Sequence, residues 1–137
     1  MHECLLLEDV LYSVFEQIRL DTVVRGKYRT LLALATTCRA FCEPALDQLY
    51  HTLSSIHPII RCLPQDVWHI RRTPVVPLKS ITKPLEQHHW DTIAKYSRRV
   101  RWLRFSFSSE ELEAYIALAK PPDSSYLFPN LCILKWT

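Results

Sequence analysis

Two cysteines and an arginine in the first third of the chain are the residues best placed for chemistry. Cys38 and Cys42 are four positions apart, so one helix running through both would turn them to the same side, as a pair of metal ligands requires. Arg39 could activate the neighbouring Cys38, because a nearby cation favours the thiolate. Pro44, however, predicts that a new helix begins just after Cys42, and no histidine or acidic pair follows at zinc-ligand spacing. We therefore expect cysteines of a core or an interface.

The remaining motifs give no support to catalysis. The chain has five cysteines, and their odd number, wide spacing and lack of a Cys-x-x-Cys pair favour a reduced, intracellular protein. His88-His89 is the only histidine cluster, and adjacent side chains on a helix point apart, so the two cannot hold one metal ion. Gly-rich phosphate loops, Gly-x-Ser-x-Gly and His-Glu-x-x-His do not occur. The sequence predicts a protein that is not an enzyme and that has no metal or cofactor site.

A basic segment in the second half suggests an alternative function. Residues 1–50 carry five basic and seven acidic side chains, and residues 51–137 carry twelve and seven. The densest basic run interleaves cations with rings, as a nucleic-acid or polyanion-binding module would: Lys95, Arg98, Arg99, Arg101, Trp102, Arg104 and Phe105. The other interpretation is a solvated helix end followed by a strand that turns Val100, Leu103 and Phe105 inward. No RNP-type, zinc-finger or helix-turn-helix signature accompanies the run, which disfavours nucleic acid.

The elements that position these residues begin with three short, strongly apolar helices, predicted over 8–20, 29–38 and 43–53. The apolar positions of the first cover an arc of roughly 180°, wider than the ~100° stripe that packing on one core needs. Residues 31–35 are apolar on every side, and Pro44 with Leu46, Leu49 and Leu53 marks the third helix. Three such helices cannot bury this surface among themselves, so the pattern predicts a partner.

The order of these segments resembles the F-box, a three-helix module that docks on a Skp-type adaptor in cullin-based ubiquitin ligases. The motif begins Leu-Pro-x-Asp/Glu-Leu/Val-Leu-x-x-Ile/Val-Phe, and residues 6–15 follow it with Leu7 in place of the proline. It continues Leu-x-x-Leu-x-x-x-Cys-Arg-x-Trp/Phe, which Leu31, Leu34 and residues 38–41 match, and Leu49-Tyr50 closes it where the family often has Leu-Trp. The resemblance covers about residues 5–50. An ordinary helical bundle packed on the rest of the chain is the other interpretation.

Beyond these helices the pattern changes to strand–helix units. A short helix is predicted over 55–63, and the proline-containing segment 69–77 is predicted to be a linker or exposed loop. Short parallel strands are predicted at 78–83, 100–105 and 131–136, with helices over 86–97 and 109–120 between them. Units of 20–30 residues with a Leu-x-x-Leu-x-apolar strand are typical of leucine-rich repeats. Residues 127–131 resemble the Phe-Pro-x-Leu entry of repeats in fungal F-box/leucine-rich-repeat proteins, and a small α/β unit with a three-stranded sheet is the alternative.

These patterns combine into one expected architecture. An α-helical F-box-like module over 1–53 is followed by a connecting helix and Pro-containing linker over 54–77. An α/β leucine-rich-repeat-like region then begins over 78–137. A solenoid needs about three repeats and a cap, so we expect this chain to be the N-terminal part of a longer repeat protein or a truncated member.

The resemblance implies a substrate-recognition adaptor. Its F-box would bind a Skp-type adaptor and, through it, a cullin, while the repeats would select an unknown protein target in the cytoplasm or nucleus. No apolar run approaches the ~20 residues of a membrane span, so no membrane partner is expected. The expected adaptor contacts are the apolar positions of the module: Leu6, Leu7, Val10, Leu11, Val14, Phe15, Leu31, Leu34, Cys38, Phe41, Leu49 and Tyr50.

Overall fold

Three helices followed by an α/β region make up the chain. The computed structural model describes residues 8–22, 26–72, 77–81, 83–105, 109–122 and 126–136. The chain divides into a first unit, Met1–Thr52, and a second unit, Leu53–Thr137. The first unit contains α1 (Glu8–Leu20), α2 (Lys27–Thr37) and α3 (Arg39–Tyr50). The structure therefore agrees with the predicted order of an N-terminal helical run followed by a mixed region of helices and strands.

Charge and backbone conformation set the ends of the first two helices. Glu8 and Asp9 lie in the first turn of α1 and Arg19 in its last, where each complements the helix dipole. Gly26, the only glycine of the chain, precedes α2 with φ 85°, a left-handed conformation that other residues adopt at a cost. The glycine therefore allows the chain to turn sharply into α2.

The start of α3 differs from the prediction that a helix begins at Pro44. Cys38 is extended, with φ −156° and ψ 166°, and the helix begins at Arg39, so Pro44 lies inside it. As the sixth residue of α3, Pro44 removes one helical hydrogen bond, to the carbonyl of Ala40, and its ring crowds that carbonyl. Pro44 is buried, so packing offsets this cost. Cys42 therefore belongs to α3, one turn after Cys38.

The core of the first unit lies where its three helices meet. Its buried side chains come from each helix: Leu11, Phe15, Leu31 and Ala45. The rings of Phe15 and Phe41 pack edge to face with centroids 5.5 Å apart. At the rim, the Tyr12 hydroxyl donates to Asp47 Oδ2 at 2.7 Å, and Arg19 Nε donates to Gln48 Oε1 at 2.7 Å. These bonds fix α1 against α3.

The second unit differs from the prediction in its first strands. Residues 68–72, in the segment predicted as linker, form β2 (Trp68–Arg72), which pairs antiparallel with β3 (Pro77–Ile81). The prediction that the strand near 78–83 joins the other strands in parallel is wrong. Pro77 is the first residue of β3, a position that needs no ladder donor, so proline does not prevent a strand there.

The remaining strands form a second sheet, in which the predicted parallel pairing of the strands near 100–105 and 131–136 is confirmed. Its first strand differs from the prediction that the third helix continues to residue 53, because that helix ends at Tyr50. The strands β1 (Thr52–Leu53), β4 (Trp102–Phe105) and β5 (Ile133–Trp136) lie in the order β1-β4-β5, and β4 pairs with β5 in parallel. The helices of this unit are α4 (His57–Ile60), α5 (Gln87–Ser97) and α6 (Ser109–Leu118). Glu86 caps α5 together with His89, whose Nδ1 accepts from the Glu86 N–H at 3.0 Å.

A separate apolar core supports this sheet. The most deeply buried side chains come from α4, α5, α6 and the turns around them: Ile56, Ile59, Ile60, Val67, Ile93, Val100 and Leu118. Leu103 of β4 is also buried, at 2% exposure, whereas every residue of β5 is exposed. The central strand of the sheet is therefore covered and the outer one is open.

Candidate partner-binding surface

The apolar arc of α1 divides into a buried part and an exposed part. Leu11 and Phe15 are each 3% exposed, whereas Val10 and Val14 are 38% and 48% exposed. Each valine precedes a buried residue by one position, which is about 100° around the helix axis. We call Val10 and Val14 the α1 flank. The helix that closes the core thus also presents two aliphatic side chains to solvent.

An open groove continues from the α1 flank along the same helix. Its lining residues are Val14, Gln17, Ile18, Leu20 and Asp21. Ile18 packs partly on the core, and Leu20 is 52% exposed. The groove is shallow and combines apolar with polar side chains, so a side chain of another protein could rest on it.

Helix α2 exposes a second apolar pair. Tyr28 and Leu32 are 49% and 54% exposed and stand one turn apart, while Leu31 between them is fully buried. Lys27 Nζ donates to the Arg19 carbonyl at 2.9 Å, which ties the start of α2 to the end of α1. Helices α1 and α2 therefore both hold exposed apolar side chains on a fixed backbone.

The predicted adaptor-contact residues fall into three groups. Val10 and Val14 are exposed; Leu34, Cys38, Phe41, Leu49 and Tyr50 are half-buried; Leu11, Phe15 and Leu31 are buried in the core. Leu6 and Leu7 lie outside the described residues. In this structure the buried side chains offer almost no surface, so contact through them would require the core to open. The α1 flank is the part of the set that a partner can reach directly.

Sequence reasoning passed over three exposed apolar residues, which are Leu20, Tyr28 and Leu32. The F-box motif has no defined position at any of the three. For Leu32 the signal was present in the sequence, because an apolar segment with no polar side, such as 31–35, must expose some of its residues when it packs on one core.

The basic run of the second unit is partly committed to its own fold. Arg99 is 6% exposed, and its Nε donates to the Lys95 carbonyl at 3.1 Å. Arg101 Nη1 lies 3.4 Å from the Asn130 carbonyl, and the Arg104 guanidinium lies 6.0 Å from the Trp102 ring. Arg99, Arg101 and Arg104 therefore each make a contact within their own unit, which leaves them less available to a phosphate backbone.

The candidates for metal binding do not assemble. Within the described ranges no three His, Cys, Asp or Glu side chains come together in a way that could hold a metal ion. His89 is buried with its Nδ1 accepting from the Glu86 N–H. The prediction that the two adjacent histidines point apart is wrong, because the ring centroids of His88 and His89 lie 3.8 Å apart, with an angle of 47° between the ring planes. Across the same described residues no helix is long and apolar enough to cross a membrane. The exposed apolar side chains of α1 and α2 remain the best-defined candidate surface.

Comparison with known proteins identifies no relative of this chain. No protein-family model, curated protein or solved structure matches the chain. What the protein does must therefore be argued from its own surfaces.

Proposed function

We propose that this protein is a substrate-recognition adaptor of a Skp–cullin–F-box-type ubiquitin ligase. The first unit binds a Skp-type adaptor, which connects it to a cullin, and the second unit selects the protein to be ubiquitylated. The proposal implies a protein of the cytoplasm or nucleus. The observation that carries it is the α1 flank, two aliphatic side chains exposed on a helix whose other face is already buried.

The energetics favour docking through the flank rather than through the core. Full burial of a valine side chain is worth on the order of 1.5–3 kcal/mol, and part of that is still available at Val10 and Val14. Leu11 and Phe15 have already contributed theirs to folding. A partner that covers the flank and the adjoining groove gains free energy without unfolding the first unit. The motif positions Leu6 and Leu7 would extend the same contact toward the N-terminus.

Binding of the full chain to a purified Skp-type adaptor tests the proposal. We expect Val10→Asp and Val14→Asp each to weaken binding by about tenfold or more, because about 1.4 kcal/mol of lost burial corresponds to a factor of ten. Ser13→Asp is the matched control, since it adds the same charge to the same helix next to Val14 and removes no apolar surface. Isothermal titration calorimetry measures all four proteins.

Two results would contradict the proposal. One is a wild-type chain that does not bind the adaptor. The other is equal weakening by Ser13→Asp and Val14→Asp, which would mean that added charge and not lost apolar contact decides binding. Leu11→Asp is unsuitable as a test, because Leu11 is 3% exposed and a carboxylate there would disrupt the core itself.

A further inference from the structure

Strand β5 forms an open edge of the three-stranded sheet. One side of β5 pairs with β4, and among the described residues no strand pairs with its other side. Ile133, Leu134 and Trp136 are 56%, 40% and 59% exposed, and Lys135 is exposed as well. An edge strand presents a row of backbone donors and acceptors, which makes it a template for a strand of another protein.

The two faces of the sheet differ in character at this edge. The β4–β5 register places Trp102 opposite Ile133 and Arg104 opposite Lys135 on one face. On the other face Leu103 lies opposite Leu134, and Phe105 lies opposite Trp136 with ring centroids 4.8 Å apart. The first face therefore carries two cations and the second is aliphatic and aromatic. None of these eight residues is acidic.

We propose that the open edge of β5 binds an extended segment of a partner protein in which acidic and apolar residues alternate. Side chains of a strand point alternately to the two faces, so every second residue of an added strand lies beside Ile133 or Lys135 and the others lie beside Leu134 and Trp136. Acidic residues complement the first face, and apolar residues the second. The inference rests on the target-selecting part of the proposed function and names the chemistry of the target.

A second copy of this chain fits the edge less well. Pairing two β5 strands would bring together two Lys135 ammonium groups, and the described strand has no carboxylate to compensate them. Nucleic acid fits less well too, because it offers no strand backbone to pair with β5 and no apolar row for Leu134 and Trp136.

The probe is a fluorescein-labelled octapeptide of alternating glutamate and valine, titrated with the full chain by fluorescence anisotropy. We expect it to bind at least tenfold more tightly than a peptide of four glutamates followed by four valines, which cannot place all its carboxylates on one face. A peptide of alternating lysine and valine should bind no better than the block peptide. Two further variants of the glutamate–valine peptide are N-methylated, one at all its valines and the other at all its glutamates. Alternate residues of a strand point their N–H groups to opposite edges, so at least one of these two variants loses the N–H groups that face β5 and should not bind.

A charge exchange in the protein completes the test. Lys135→Glu should weaken binding of the glutamate–valine peptide at least tenfold and create binding of the lysine–valine peptide. Lys120→Glu makes the same charge change at an exposed position after α6 and should leave both affinities within twofold. Equal binding of the alternating and block peptides would overturn the proposal. Tighter binding of a twelve-residue thymidine oligonucleotide, or a dimer that Lys135→Glu dissociates, would also overturn it. A wild-type chain that binds the Skp-type adaptor but not the glutamate–valine peptide would refute this inference and leave the proposed function standing.

Discussion

The two units expose apolar surface in different ways. In the first unit, exposed apolar residues alternate with buried ones along a helix. Val14 is exposed beside the buried Phe15, and Leu32 is exposed beside the buried Leu31. In the second unit three of the exposed apolar residues lie together on one edge strand, β5, which offers its backbone as well as its side chains. A helix has no free backbone groups along its length, so it can bind only through side chains, whereas an edge strand can also add a strand. If both proposals hold, the two units therefore bind different kinds of partner.

The sharpest test of this contrast uses two adjacent leucines of α2. Leu31 is fully buried and Leu32 is 54% exposed. Leu31→Ala should lower the free energy of unfolding by about 2–5 kcal/mol, because it leaves a cavity, and Leu32→Ala by less than about 0.5 kcal/mol. Urea denaturation of the two variants measures the difference. Similar losses for both would show that Leu32 is part of the core and not available to a partner.

A second pair of leucines tests the same contrast across the sheet. Leu103 on β4 and Leu134 on β5 lie directly opposite each other, with 2% and 40% exposure. Leu103→Ala should cost about 2–5 kcal/mol, whereas Leu134→Ala should cost about 1 kcal/mol, because it removes contacts on one side only. Denaturation midpoints compared at constant slope give both values. A larger loss for Leu134 would mean that the edge strand is covered.

The connection before α2 should show a smaller effect. A side chain at Gly26 meets no atom within 4 Å, so the cost of Gly26→Ala comes only from the left-handed backbone, with φ 85°. We expect a loss of about 1 kcal/mol in the free energy of unfolding, and a smaller loss for Gly26→Asn, since asparagine tolerates this conformation better. Thermal unfolding distinguishes the two. An equal loss for both would point to a clash rather than to the backbone.

The smallest expected effect concerns the connection before α5 in the second unit. Lys83 Nζ donates to Asp66 Oδ2 at 3.3 Å, and this hydrogen bond lowers the pKa of Asp66 from its ordinary value of 3.8. A lowered pKa in the folded state adds stability above the ordinary value, and that stability is lost as the pH falls through the lowered one. Because both groups are exposed, the contribution is slight.

The wild-type chain and Lys83→Gln should therefore differ slightly in stability near neutral pH and converge in acid. Lys120→Gln is the control and should show no such convergence. A difference between wild type and Lys83→Gln that grows as the pH falls would contradict the assigned pairing.

Local pattern was sufficient to predict the helices whose apolar spacing is regular. The prediction of a helix over 8–20 matches α1 (Glu8–Leu20), and that over 86–97 lies close to α5 (Gln87–Ser97). The strands at 100–105 and 131–136 are confirmed, and so is their parallel pairing. For β4 the face predicted to point inward is the buried one at Leu103, whereas β5 forms where predicted although all its residues are exposed.

The rest depends on contacts that sequence spacing does not encode. From the sequence, Pro44 could begin a helix or lie inside one that starts a few residues earlier. Packing decides for the second alternative, with Pro44 buried inside α3. Strand β2 does alternate apolar and polar residues, with Trp68 and Ile70 at the apolar positions, but the nearby Pro74 and Pro77 favour a linker. Its pairing with β3 decides for a strand. The apolar arc of α1 indicated a surplus but not which side would be buried. That choice depended on where Leu31, Phe41 and Ala45 lie in the folded unit.

The central claim, that the α1 flank docks on a Skp-type adaptor, is tested most directly by valine methyl NMR of the full chain. The methyl signals of Val10 and Val14 should shift on addition of the adaptor. Those of Val67 and Val100, which are fully buried in the second unit, should remain unchanged and serve as internal controls. Shifts confined to Val67 and Val100, or no shift at all, would contradict the account.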